Sequence, residues 1–159
     1  MTKFQELEVA PRIAGVIALA GVAWIHYKDL ADKFEEVPYI GAGYVALIAF
    51  SILSAILLTF GTKNERTAGW YVGGVTAGAA ALGYTLTRTT GLPHAMDDIG
   101  NWTEPLGVWS LVLEGILCAM AATRAFNHAK TAAQALVRFV KAKQAAKPAR
   151  PAWAPPTTI

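Results

Sequence analysis

The sequence predicts an all-α integral membrane protein, built as a four-helix bundle with a cytoplasmic amphipathic C-terminal helix. Hydrophobic residues make up 54% of the 159 residues, and charged residues only 16%. A soluble domain carries about 25% charged residues, because its surface must stay hydrated. The mean hydropathy is +0.37, and four apolar segments approach the roughly 20 residues that a helix needs to cross a bilayer. Much of the surface is therefore expected to face something other than water.

Four membrane spans are predicted, at about residues 12–28, 39–61, 67–87 and 105–123. The second and third contain no charged residue, and the fourth contains only Glu114. The first is the shortest. It reaches span length if Pro11 begins the helix and the side chains of Arg12 and Lys28 extend to the lipid headgroups.

The charges of the connecting segments predict the orientation. Lys and Arg are concentrated after the fourth span and between the second and third, whereas the other two connections are acidic on balance. Cytoplasmic segments of membrane proteins collect Lys and Arg. We therefore expect a multi-pass protein of the bacterial plasma membrane with both termini in the cytoplasm. The net charge of +3 then reflects sidedness, and nucleic acid is not expected as a partner.

The chain after the fourth span divides into two predicted parts. Residues 124–147 contain no acid and place apolar side chains at helical spacing opposite basic ones, which predicts an amphipathic helix on the inner leaflet or on a partner protein. Residues 148–159 are rich in proline and are expected to form a disordered tail. The single cysteine, Cys118, excludes an intramolecular disulfide.

Glu114 is the most informative single residue, because an acid in the middle of a span costs a few kcal/mol on insertion scales. Ser110 lies one helical turn away, and depth arithmetic brings Thr76 and Ser51 near the same level. The carboxyl group either carries protons or a ligand, or it is a protonated group hydrogen-bonded to neighbouring spans. His26 is interpreted separately, as a hydrogen-bonded residue at the outer boundary of the first span.

The third span carries two glycine pairs with the small-x-x-x-small spacing that lets helix backbones approach closely: Gly69 with Gly73, and Gly74 with Gly78. They favour either assembly with another subunit or a second copy, or close packing inside the bundle. Both interpretations remain open.

The outer loop between the third and fourth spans offers several side chains with chemical potential: Arg88, His94, Met96, Asp97, Asp98 and Trp102. Imidazole and thioether groups suit copper, and carboxylates suit harder ions. No second cluster completes a ligand shell. The alternative is an ordered lid in which Gly and Pro form turns and Arg88 pairs with an acid, so no metal and no cofactor are predicted.

Three runs in the second half of the chain are distinctive. Residues 87–93 read Thr-Arg-Thr-Thr-Gly-Leu-Pro, residues 97–107 read Asp-Asp-Ile-Gly-Asn-Trp-Thr-Glu-Pro-Leu-Gly, and residues 110–114 read Ser-Leu-Val-Leu-Glu. Together they resemble small four-span membrane proteins of actinobacteria. The resemblance marks Arg88 through Glu114 as the characteristic region, and it implies no activity, cofactor or substrate.

The sequence contains no phosphate-binding glycine loop, no Ser/His/Asp arrangement and no cysteine-pair metal motif. It therefore predicts a non-catalytic accessory or structural subunit of a larger bacterial membrane complex, with lipid and other membrane subunits or a second copy as partners. One alternative is a small oligomeric transport or proton-handling protein that uses Glu114. The other is a metal-binding membrane protein that uses the outer loop.

Overall fold

The computed structural model describes residues 3–145, with side chains from residue 9 onward. These residues form five helices and no strand, which confirms the predicted all-α class. In chain order the helices are α1 (Lys3–Lys28), α2 (Leu30–Glu36), α3 (Pro38–Phe60), α4 (Lys63–Thr89) and α5 (Pro105–Ala145). The predicted tail at 148–159 and the last two residues of the predicted C-terminal helix lie outside the described residues.

Three helices in the described part of the chain are long and apolar enough to cross a membrane: Val9–Lys28, Pro38–Phe60 and Pro105–Ala145. The predicted span at 67–87 lies in α4, which is helical but is not among these three. The sequence of α4 contains five glycines and five threonines, and the helix begins with charged residues. These residues lower its hydropathy without preventing a helix.

Helix α1 differs from its predicted start. It begins at Lys3 and runs through Pro11, which was expected to begin it. Proline in a helix interior removes one backbone hydrogen bond, but the residues before it are mostly good helix formers such as Gln, Glu, Leu and Ala. The helix therefore continues through the proline, and its apolar segment starts at Val9.

The chain separates into two compact units, one ending at Ala125 and one beginning at Phe126. In the first unit, buried apolar side chains from α1, α3, α4 and α5 form one core: Ala18, Leu19, Val22, Leu58, Trp70, Ala77 and Leu117. In the second unit, residues 126–145 are helical and every side chain is exposed. That segment has no acid and four basic side chains: Lys130, Arg138, Lys141 and Lys143.

The predicted glycine pairs lie where α4 touches its neighbours within the chain. A Cβ atom on Gly69 would lie 3.0 Å from Cβ of Leu57 in α3, and one on Gly73 would lie 2.7 Å from Oγ of Ser54. A Cβ atom on Gly74 would meet Ala121 of α5 at 2.4 Å. The two glycine faces thus pack against α3 and α5.

Close packing weakens along α4. A Cβ atom on Gly78 would have an ordinary contact of 3.7 Å with Sγ of Cys118, and one on Gly83 would meet nothing within 4 Å. On the glycine faces of α4, the neighbouring helices are therefore in close contact from Gly69 to Gly74 and leave open space at Gly83. The adjacent Tyr84 still contacts α5, because a Cβ atom on Gly107 would lie 2.4 Å from its ring.

Side chains also fix the helix ends at the closely packed end. The Thr62 hydroxyl accepts a hydrogen bond from the backbone N–H of Glu65, and the Glu65 carboxylate accepts one from the backbone N–H of Thr62. This capping box starts α4. The Arg12 guanidinium donates to the carbonyl oxygens of Leu58 and Thr59 at 3.1 and 3.3 Å, which satisfies carbonyls at the end of α3.

Candidate functional site

Glu114 is buried inside the first unit, with 1% of its surface exposed. The Ser110 hydroxyl, one turn earlier on α5, donates to Oε1 of Glu114 at 2.7 Å. The other carboxyl oxygen, Oε2, has no hydrogen-bond partner among the described residues. Such a group is unusual, because the large majority of buried polar atoms in folded proteins have a partner.

His26 of α1 faces the same carboxyl group. The residue is 7% exposed, and Nδ1 lies 2.9 Å from the carbonyl oxygen of Val22. Because a carbonyl only accepts, Nδ1 carries the hydrogen, and Nε2 of the neutral ring is an acceptor. Nε2 lies 3.8 Å from Oε1 of Glu114. The two facing acceptors attract one another only when a proton is held by one of them.

A contact path leads from this pair to the connection after α1. The His26 ring packs edge-on against the Tyr44 ring of α3, with centroids 4.6 Å apart. The Tyr44 hydroxyl donates to Oδ2 of Asp29 at 3.3 Å. Burial raises the pKa of the Asp29 carboxyl, and the nearby Lys33 ammonium opposes that shift. Asp29 therefore holds a proton more readily than an exposed aspartate.

A cavity of about 1050 Å³ adjoins the pair. His26, Thr76, Ser110 and Glu114 line one part of it, and charged residues of α2 and the loop before α5 line another. Its aromatic lining comes from α3 and α4: Tyr39, Tyr44, Phe50, Tyr71 and Tyr84. The volume is close to the upper limit of small-molecule binding pockets, which span about 300–1,000 Å³.

Arg88 organises the loop between α4 and α5. Its guanidinium is buried and forms ion pairs with Asp98 at 2.7 Å and with Glu104 at 2.5 Å. The Arg88 carbonyl oxygen accepts from the backbone N–H of Gly100 at 2.9 Å. Lys33 of α2 lies 4.0 Å from Asp98. Both charged partners of Arg88 are thus compensated, unlike Glu114.

The remaining loop residues do not converge on one point. His94 adopts a positive φ of 59° and is exposed, as are Met96 and Asp97. Trp102 packs against the Tyr84 ring, with centroids 6.0 Å apart. Across residues 9–145, no group of three His, Cys, Asp or Glu side chains is arranged to hold a metal ion. Of the features of the ordered-lid interpretation, the pairing of Arg88 with an acid is present, with Asp98 and Glu104 as its partners.

The structure assembles only part of the predicted polar site. Ser110 contacts Glu114, and Thr76 lines the same cavity, although none of the hydrogen bonds found within residues 9–145 joins Thr76 to Glu114. Ser51 is fully buried and has no partner for its hydroxyl in the described part of the chain. Ser51 and Leu19 of α1 both line a second cavity, of about 220 Å³.

His26 is the partner that sequence reasoning did not connect to Glu114. It lies two residues before the end of α1, whereas Glu114 lies nine residues into α5. At about 1.5 Å per residue, counting from the helix ends places the two at different depths. The available signal was chemical: an imidazole in an otherwise uncharged apolar stretch.

Comparisons with known proteins identified no relative of this chain. No protein-family model matches the chain, and the searches of curated proteins and of solved structures found no match. The fold and the site define an all-helical protein with three helices apolar enough to cross a membrane and a buried carboxyl–imidazole pair beside a cavity.

Proposed function

We propose that this protein is a small integral membrane protein that handles protons through Glu114 and His26. The observation that carries the proposal is the burial of Glu114, with Oε2 unpartnered among the described residues and Oε1 3.8 Å from His26. Ionisable residues inside membranes are costly and commonly mark ion or proton pathways.

The pair suits reversible proton transfer. With one proton it is net neutral either as a carboxylic acid beside a neutral imidazole or as a carboxylate beside an imidazolium. Moving the proton between the two forms leaves the net charge unchanged, so the apolar surroundings oppose the transfer less than they would oppose a new isolated charge. The cavity supplies access from the loop to this pair.

Membrane embedding is supported by exposed apolar side chains on all three of the most apolar helices. Examples are Ile17 on α1, Ile56 and Phe60 on α3, and Trp109 on α5, which are 49–83% exposed. Exposed apolar area on this scale is typical of a membrane or partner surface. We propose that lipid covers it, and that α4 forms the fourth span of the bundle because it packs between α3 and α5.

The proposed orientation follows from the charges at the two ends of the first unit. Arg12, Lys63, Arg66 and Arg124 lie at the end where α3 finishes and α4 begins, and Arg124 stacks 5.0 Å from the Trp70 ring centroid. Acids predominate at the other end. By the positive-inside rule, the termini are cytoplasmic and the loop of Arg88 faces outward.

Single-cysteine labelling tests the orientation. Cys118→Ala provides a cysteine-free background, because the chain has one cysteine. In that background, Asp97→Cys is expected to react with a membrane-impermeant maleimide in intact cells. Asn64→Cys is expected to react only after permeabilisation. The reverse pattern would invert the proposed orientation.

Proton flux in proteoliposomes tests the function. Wild-type protein is expected to dissipate an imposed pH gradient, reported by an entrapped pH dye, and Glu114→Gln is expected to abolish the flux. Glu65→Gln is the matched control, because it makes the same substitution at the exposed cap of α4. Equal flux from wild type and Glu114→Gln would rule the proposal out.

A second measurement on wild-type protein does not depend on the folding of a variant. A hydrophobic carbodiimide reacts with protonated carboxyl groups in apolar surroundings. Peptide mapping is expected to show the adduct on Glu114 and not on Glu65. An unmodified Glu114 would contradict a proton-carrying group that is reachable from the cavity.

The accessory-subunit function is the second candidate, and the exposed helix at 126–145 favours it. Phe126, Leu136 and Phe139 are 62–69% exposed there, which fits a partner protein or a lipid surface. Purification from native membranes with quantitative mass spectrometry is expected to show a co-purifying membrane protein, whose recovery falls in Leu136→Glu. The glycine pairs of α4 do not support this candidate, because both glycine faces pack against helices of this chain.

A further inference from the structure

We propose that the cavity binds an organic monocation with an apolar body, such as a quaternary ammonium or a protonated amine, with the Glu114 carboxylate as its counter-ion. This inference rests on the proposed function and names a class of ligand whose binding would displace the proton from the same site. Three independent features of the cavity support it: its charge, its aromatic lining and the free oxygen of Glu114.

The charge of the lining favours a cation. Six carboxyl groups line the cavity, against two basic side chains, Lys33 and Arg88; the acids are Asp29, Glu36, Asp97, Asp98, Glu104 and Glu114. The excess is negative although the whole chain carries a formal charge of +3. A cleft lined mainly by one sign of charge between low-dielectric walls concentrates ions of the opposite sign.

The aromatic lining favours an organic cation over a hydrated metal ion. Four tyrosines and Phe50 contribute ring surface, from Tyr39 near the start of α3 to Tyr71 on α4. Aromatic faces attract ammonium groups through their electrostatic quadrupole, and aromatic cages recognise quaternary ammonium ions. A volume of about 1050 Å³ also leaves room for a substantial apolar body beside the charged head.

The free oxygen of Glu114 supplies the specific contact. Oε2 is buried and unpartnered in the described part of the chain, while Oε1 is engaged by Ser110. Because Glu114 lines the cavity, a cation bound there would compensate an ionised carboxylate that is otherwise costly to bury. Quaternary ammonium groups have no hydrogen to donate, so attraction to this oxygen would be electrostatic.

Proton release follows from charge balance. When the cation binds, the proton held by Glu114 and His26 passes to solvent, and the site keeps the same net charge. The other titratable groups next to the pair are Cys118 on α5 and Tyr44 on α3, and α4 contributes the uncharged Thr76. The Glu114–His26 pair is thus the source expected to release one proton for each cation bound.

Titration calorimetry on the full chain in detergent tests the proposal with phenyltrimethylammonium and its uncharged isostere tert-butylbenzene, each corrected for empty micelles. The cation is expected to bind about tenfold or more tightly than the isostere, since the two differ chiefly in charge. Repeating the titration in two buffers of different ionisation enthalpy is expected to show release of about one proton. Equal affinity for the two probes would overturn the proposal.

Variants separate this proposal from the proposed function. Glu114→Gln is expected to weaken cation binding about tenfold or more, and Glu65→Gln to leave it unchanged. Glu114→Asp, which keeps the charge, is expected to retain binding if Gln proves unable to fold. Glu114-dependent proton flux without binding of the cation would overturn the substrate class and leave proton handling intact. Cation binding without any proton flux would support the site and overturn proton handling.

Discussion

The two ends of the first unit are built in opposite ways. Where α4 begins, glycines bring it against α3 and α5, so that Cβ atoms at Gly73 and Gly74 would meet their neighbours at 2.7 and 2.4 Å. Where α4 ends, Gly83 has nothing within 4 Å and lines the cavity. One helix therefore takes part in both a tightly packed region and an open one.

The difference shows how a small helical protein maintains a cavity. At the packed end, contacts of small residues hold the helices together without needing large side chains. At the open end, the ion pairs of Arg88 with Asp98 and Glu104 secure the loop that borders the cavity. The Glu114–His26 pair lies where the packed core gives way to the cavity, beside the buried Leu117.

The largest expected effect is at the open end. Arg88→Met removes the cation, which leaves Glu104 without its ion-pair partner and Asp98 with the more distant Lys33, at 4.0 Å. Removing one partner of a buried ion pair destabilises a protein by about 3–5 kcal/mol. Because both acids are partly exposed, we expect a loss of stability at the lower end of this range, about 3 kcal/mol. Thermal unfolding in detergent, followed by circular dichroism, measures the loss. Arg138→Met on the exposed helix is the control, and an equal change in both would break the comparison.

Paired glycine substitutions test the gradient of packing along α4. Gly74→Ala is expected to destabilise the protein by about 1–3 kcal/mol, because its Cβ atom would overlap Ala121. Gly83→Ala meets open space and is expected to stabilise the helix by about 0.5–1 kcal/mol. The unfolding midpoints of the two variants should move in opposite directions. A shift in the same direction would show that the two ends are packed alike.

Two serine substitutions compare hydrogen bonds at the two ends. Ser110→Ala removes the donor to Oε1 of Glu114 and is expected to cost about 1 kcal/mol. Ser54→Ala removes a donor to the backbone carbonyl of Gly69 and is expected to cost about 0.6 kcal/mol, the average for such bonds between membrane helices. Denaturant unfolding measures both. Only Ser110→Ala is expected to alter carbodiimide labelling of Glu114.

The smallest expected effect concerns pH at the packed end. Hydrogen bonds from the Thr62 backbone and side chain hold the pKa of Glu65 below its ordinary value. A lowered folded-state pKa means that this contribution to stability is present above the unfolded pKa of about 4.3 and is lost as the pH falls through the folded value. Glu65→Gln keeps an oxygen acceptor and does not titrate. Its unfolding midpoint should fall less than that of the wild type below about pH 4.

Local patterns in the sequence predicted most of the helices. The predicted span at residues 39–61 corresponds closely to α3 at Pro38–Phe60, because a long uncharged apolar run that follows a proline is typical of a membrane helix. The predicted fourth span and the predicted C-terminal helix both lie in α5, because the helix continues without interruption across their boundary at Thr123 and Arg124. The predicted start of α1 is wrong, because Pro11 lies inside the helix and does not begin it.

The candidate site was predictable only one helix at a time. Glu114 and Ser110 were paired correctly, because four residues on one helix make one turn. For Ser51 the prediction rests on depth alone, and within residues 9–145 no hydrogen bond joins its hydroxyl to Glu114. Depth does not give the rotation of a helix about its axis, which depends on the side chains that pack against it.

The sequence by itself determined the all-α class, the three strongly apolar helices and the presence of a costly acid at Glu114. These depend on composition and on periodicity within single segments. Only the tertiary structure decided that His26 faces Glu114, that Arg88 pairs with Asp98 and Glu104, and that one end of α4 is packed while the other borders a cavity. Such contacts join residues distant in the chain, and they are set by the relative rotation and displacement of whole helices.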